Sequence, residues 1–259
     1  MLFLWIYPVT IASLVSCPRP AKSFEESLGR IELLRRGDPA DLNPAAQTIL
    51  LDHGQKTDQV IVFLHGFTNS PRQFKVLGEQ FYQLGYTVFI PRIPRHGHQE
   101  VSALKELTAE DLVRISDEVV DIAQGLGEHV TVVGLSMGGV MAGWLAQSRS
   151  DVDQAVLIAP NFGTYRFPNF FLKPSINFLL LTPNYFIWWD SHKKQNLKRP
   201  QAVYYGFYSR ALGEIRRLGW SVYKLGKQFK PKAAKIPAKI TSFELGFFQY
   251  FHINSIAKT

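Results

Sequence analysis

The chain is 259 residues long, 46% hydrophobic and 19% charged, which supplies one sizeable core and too little length for two ordinary enzyme domains. Twenty-nine Lys and Arg against 21 Asp and Glu leave a net charge of +8, a balance that admits an anionic membrane or nucleic acid as partner and is equally met by a solvated basic surface. A single cysteine, Cys17, excludes an intramolecular disulfide and any cysteine-rich metal centre.

Residues 1–16, MLFLWIYPVTIASLVS, are apolar nearly throughout, yet the uncharged run 2–15 is shorter than the ~20 residues a spanning helix needs. It fits a signal-peptide hydrophobic region better. LVSC, ending at Cys17, is similar to a bacterial lipobox, although no Lys or Arg precedes the run. A short membrane anchor is the alternative. Residues 1–22 are therefore expected to make the protein membrane-associated or exported, with Cys17 as the residue that would carry a lipid.

Ser23 and Glu26 form a capping-box pattern ahead of Phe24, Leu28, Ile31 and Leu34, whose spacing predicts an amphipathic helix over 24–35. TILLDHG reads as an edge strand, and the apolar run 60–64 as a strand buried on both faces. Pro71 opens a helix to about Leu84 with Phe74, Leu77, Phe81 and Leu84 on its inner face. YTVFIPRIP is the next strand. Thr108 and Asp111 cap a helix with inner residues Leu112, Ile115, Val119 and Ile122, ending at Gly125 and Gly127. VTVVGLS, a helix behind Ser136 and the strand QAVLIAP follow. Strands alternating with helices over 60–160 predict an α/β fold, a mostly parallel sheet flanked by helices.

From 161 to about 225, sixteen residues are aromatic, and Pro168, Pro174, Pro183 and Pro200 cut the stretch into expected short helical pieces. The chain thus divides into a leader-like segment 1–22, a core 23–160, an aromatic helical insertion 161–225, and a basic tail 226–259. The late basic run of Lys224, Lys227, Lys230, Lys232, Lys235 and Lys239 comes with no phosphate-binding glycine loop, zinc spacing or nucleic-acid module, so nucleic acid is not an expected partner. With the apolar N-terminus they favour an anionic membrane.

Ser136 stands between Gly134 and Gly138 behind an apolar strand. A nucleophilic serine needs an exposed hydroxyl, a tight strand-to-helix turn and an amide aimed at the oxyanion. The two glycines allow the turn, and the N–H of Met137 opens the following helix, whose terminus adds partial positive charge. GLSMGG, preceded some seventy residues earlier by HGFTNSP, resembles the α/β-hydrolase family, in particular lid-bearing carboxylesterases and monoglyceride-lipase-like enzymes. The resemblance implies an α/β-hydrolase fold with 161–225 as lid. It implies Ser136 as nucleophile, the backbone N–H groups of Phe67 and Met137 as oxyanion hole, and His65 and Gly66 as shapers of the loop that carries the first. An aromatic lid implies a small apolar ester as substrate, with no metal and no organic cofactor.

The family's order is serine, then an acid after the lid, then a histidine. After Ser136 the carboxylates are Asp151, Asp153, Asp190, Glu214 and Glu244, and the histidines are His192 and His252. Asp151 and Asp153 fall before the next strand, at the wrong edge of the sheet. Asp190 and His192 lie inside the lid, and Glu244 precedes His252 too closely for an intervening strand and helix. The expectation is a chain lacking the family's last strands, with His192 and His252 as stand-in bases. His96 reads as a structural hydrogen-bonder near the site, and His53, His98 and His129 as loop or strand-end residues. Two functions stay open, an ester hydrolase acting through an acyl-enzyme on Ser136, and a catalytically inactive binding protein or fragment. Oligomeric state is left undetermined.

Overall fold

Five strands, β1 (Ile49–Leu51), β2 (Thr57–Leu64), β3 (Thr87–Ile90), β4 (Gly127–Leu135) and β5 (Gln154–Ile158), form one sheet in the order β1-β3-β2-β4-β5. This is a computed structural model, and it describes residues 2–163, 169–188 and 203–228. The pairs β2–β3, β2–β4 and β4–β5 are parallel, and only the edge strand β1 runs antiparallel, against β3. The alternating, mostly parallel order read from the sequence is the order observed.

Alternation along β2 builds a core on each side. Val60, Val62 and Leu64 face one layer, with Leu112, Val119 and Ile122, while Ile61 and Phe63 face the other, with Phe74, Val88 and Ile90. Each such side chain, fully buried, stabilises the fold by about 1.5–3 kcal/mol, so a strand buried on both faces needs apolar residues at every position.

Five helices accompany these strands: α1 (Leu2–Ile6), α2 (Phe24–Arg36), α3 (Lys75–Gln83), α4 (Ala109–Leu126) and α5 (Met137–Ser148). The Ser23 hydroxyl accepts from the Glu26 N–H, and Thr108 and Asp111 close a reciprocal capping box. The helix expected from Pro71 divides into a 3-10 turn, Pro71–Phe74, and α3. Its inner face also differs, for Leu77 and Leu84 are exposed. Gly78 takes their place against the sheet, where a Cβ would meet Val88 at 3.0 Å and Ile90 at 3.2 Å. Close approach through a glycine leaves no apolar period to read.

The stretch after β5 contains α6 (Leu172–Leu181), strands β6 (Phe186–Trp188) and β7 (Gly206–Tyr208), and α7 (Ser209–Gln228). The antiparallel β6–β7 pair was not anticipated, and α7, with 20 residues, is far longer than the expected pieces. Pro174 falls in the first turn of α6, where a missing N–H costs nothing.

The segment before α2 is tied to the core. The Cys17 and Arg19 N–H groups donate to Asp117 (2.7 Å) and Asp121 (2.8 Å) on α4. Behind those carboxylates the wholly buried Arg149 guanidinium pairs with Asp117, Asp121 and Asp151. No helix among the described residues is long and apolar enough to cross a membrane.

Candidate active site

Parallel pairing sets Leu64 of β2 opposite Gly134 of β4. The chain leaves both neighbouring strands at one level, and Phe67 and Met137 each follow three residues later. The C-terminal edge of a parallel sheet is where such loops converge on ligands.

Between β4 and α5 the backbone turns at Ser136, with φ 56° and ψ −108°. A left-handed φ on a non-glycine residue costs about 1–3 kcal/mol and persists only where its surroundings over-determine it. Here they do. The Ser136 N–H donates to Ile158 O (2.9 Å), and its C=O accepts from Val140 and Asn161. A Cβ on Gly134 would stand 1.9 Å from Gly138 O, and one on Gly138 would stand 2.0 Å from Leu64 O. These two glycines therefore let α5 begin directly against the end of β2. Ala159, also left-handed at φ 42°, precedes Pro160, whose Cα would sit 3.1 Å from a Cβ on Gly139. The Ser136 side chain makes no capping bond to its helix and is partly exposed. Met137, as the first residue of α5, has an N–H with no intrahelical acceptor.

The loop after β2 is held by three side chains. His65 is fully buried, with Nδ1 3.0 Å from Gly66 O and Nε2 accepting from the Ile93 N–H at 3.3 Å. Those contacts select the neutral tautomer protonated on Nδ1, and burial drives the pKa well below the ordinary histidine value. Gln73 Oε1 accepts from the Gly66 N–H at 2.8 Å. His96 places Nε2 2.7 Å from Phe67 O, and burial lowers its pKa to about 4. Its Nδ1 lies 3.0 Å from Pro94 O, so the single N–H of the neutral ring is donated to one of these two carbonyls.

Gly66 C=O and Phe67 N–H belong to one peptide plane and point opposite ways. By binding the carbonyl, His65 fixes the direction of the Phe67 amide. The region after β5 covers this loop: Phe207 of β7 packs on Phe67 with ring centroids 5.3 Å apart. The Tyr204 N–H donates to Thr68 O at 2.8 Å.

The remaining polar candidates lie elsewhere. Asp153 accepts from Val130 N–H at the start of β4, and Asp151 is held by Arg149. Glu214 accepts from Ala109 N–H and Arg217. His53 stacks on Tyr82, His98 bonds Asp41 at 2.9 Å, and His129 faces Asp153 at 3.6 Å. Asp190, His192, Glu244 and His252 lie outside the described residues. Sequence reading missed Gln73, Ala159 and Asn161. Gln73, two residues beyond Pro71, carries no motif, and nothing in the letters of Ala159 or Asn161 announces their backbone geometry.

An α/β sheet in which β4 ends in a strained serine turn, beside the buried His-Gly-Phe loop that ends the central strand β2, defines the class of fold. The alpha/beta hydrolase family matches over residues 61–237, well over half the chain, and the chain belongs to that family. It is similar to a thermostable monoacylglycerol lipase of Bacillus sp. (strain H-257), 33% identical over 93 residues, 36% of each chain. It also resembles an esterase/lipase of Mycoplasma pneumoniae, 31% identical over 100 residues, 38% of this chain and 37% of that one. Little more than a third of either relative's length is matched. A solved metagenome-derived lipolytic enzyme has the same fold, with a TM-score of 0.54 at 20% identity, covering 71% of this chain and 72% of its own.

Proposed function

We propose that this chain hydrolyses carboxylic esters with an apolar acyl group, through an acyl-enzyme on Ser136. The observation that carries the reading is the left-handed Ser136 at the head of α5. Strain at that position has no use in packing, while it keeps the hydroxyl clear of the helix that follows. Monoacylglycerol lipase and esterase/lipase, the names of the two relatives, favour a lipid-like ester.

In this mechanism Ser136 Oγ attacks the carbonyl carbon as a base takes its proton. The oxyanion is held by the N–H groups of Phe67 and Met137. Collapse expels the alcohol, which takes the proton from the base, and water then releases the acid by the same steps. His65 and Gly66 orient the Phe67 amide, and Gly134 and Gly138 hold the turn. The 161–225 region acts as lid through the Phe207 and Tyr204 contacts to the loop.

The base is proposed from His192 and His252, because the described histidines have other work. The second reading, a protein that binds apolar esters without cleaving them, is favoured by that same commitment of His65 and His96 to backbone groups. A fluorophosphonate probe separates the two. Labelling that disappears in Ser136→Ala supports the hydrolase, and its loss in His192→Ala or His252→Ala identifies the base. Folded protein that takes no label supports the binding protein.

A further inference from the structure

Half of the large apolar side chains left in water among the described residues lie on or beside α1 and α6. On α1, Phe3 and Ile6 are 60% and 66% exposed, and Phe170 and Phe178, beside and on α6, are 59% and 54% exposed. The two helices pack together: Trp5 stacks on Phe170 with centroids 5.7 Å apart, and Asn177 Nδ2 donates to the Leu4 and Tyr7 carbonyls that end α1. Phe171, Phe178 and Leu181 recur at seven and ten residues, one stripe of a helix. An apolar surface of this kind in water marks an interaction site.

Charge indicates the occupant. Residues 1–22 together with 161–210 hold nine Lys and Arg and one acid, Asp190, a net +8, while the rest of the chain balances 20 against 20. By sequence, the whole net charge of the protein thus falls in these two stretches. α1 and α6 contain no acidic residue, and Lys173 and Arg210 stand at the margin, Lys173 donating to Ile6 O and Arg210 to Thr182 O. Aromatic and aliphatic side chains flanked by Lys173 and Arg210 suit the boundary of an anionic bilayer. At five residues α1 lies on such a surface rather than crossing it.

We propose that the outward face of α1 and α6 docks on an anionic phospholipid bilayer. β7, which follows α6 in the same stretch after β5, touches the His-Gly-Phe loop through Phe207, so docking would bring the site toward the phase in which apolar esters dissolve. The inference takes this purpose from the ester-hydrolase reading, but the docking itself does not require Ser136.

Flotation of the full chain with vesicles of equal parts phosphatidylglycerol and phosphatidylcholine tests it. Wild type and Ser136→Ala should float alike, and pure phosphatidylcholine should hold less. Phe3→Ser with Phe178→Ser should lower the partition coefficient at least about tenfold, with an unchanged circular dichroism spectrum. Leu84→Ser, exposed on another face, should float as wild type. Lys173→Gln with Arg210→Gln, which spares the aromatic face, should cost about tenfold and flatten the salt dependence. The proposal falls if wild type ignores the anionic vesicles, or if both double variants float as wild type. It also falls if sedimentation shows a dimer that only the aromatic variant dissociates, since the face then covers a second copy. Retained flotation with no esterase activity would sink the hydrolase and leave the docking surface standing.

Discussion

At its N-terminal end β4 meets water through ordinary surface charge: Glu128 pairs with Lys56 at 3.2 Å and His129 faces Asp153, every partner at least a third exposed. At its C-terminal end, nine residues away, there is no ion pair among the described residues, and the chain forms a left-handed serine, two glycines with no room for a methyl group and a helix start. Exposed pairs contribute about 0–1 kcal/mol each and tolerate change. The serine end consumes stability and tolerates little. One strand therefore separates a side that any polar residue can serve from a side that few sequences can build.

The sharpest way to break this contrast is Ser136→Gly. Ester hydrolysis should fall by at least about a thousandfold, while the denaturation midpoint holds or rises, by up to about 1 kcal/mol, because glycine accepts the left-handed φ without strain. A fall in stability would mean that Ser136 is a packing residue. Next comes Gly138→Ala, whose Cβ would overlap the Leu64 carbonyl; urea unfolding should show a loss of about 3 kcal/mol or more.

Acid should act on the loop more gradually. His65 and His96 are neutral when folded and take up a proton once unfolded, so their contribution is complete above about pH 6.5. For His96 it is lost as pH falls toward about 4, and for His65 it goes on falling well below the ordinary histidine range, with a slope of up to ~1.4 kcal/mol per pH unit for each ring. Urea midpoints across that window should be shallower in His96→Gln, and an unchanged slope would show that His96 titrates normally. At the small end, Lys56→Gln at the far end of the strand should shift stability by no more than about 0.5 kcal/mol and leave turnover alone.

Much of the core was legible because its residues repeat physical periods. Val60 to Leu64 reads as a strand with two buried faces, and Leu112, Ile115, Val119 and Ile122 mark one side of a helix. The serine turn was legible through its glycines, whose spacing encodes a close approach. Less could be read of α3, where Gly78 packs and Leu77 does not, since contact through a missing side chain leaves no hydrophobic signal. The β6–β7 pair was opaque for another reason: three-residue strands are too short to alternate. Within the site, His65 was visible from its motif, while Gln73 reaches Gly66 across seven residues of loop, a contact created by the fold and not by local pattern.

The shared level of Leu64 and Gly134 makes the length of two strands a functional quantity. Adding or deleting a single residue in either β2 or β4 would slide one loop by a strand step, about 3.3 Å, roughly the full span of a hydrogen bond. Sequence drift can exchange the buried apolar residues of these strands where volume is kept, but insertions and deletions have to fall elsewhere, in the turns between the elements.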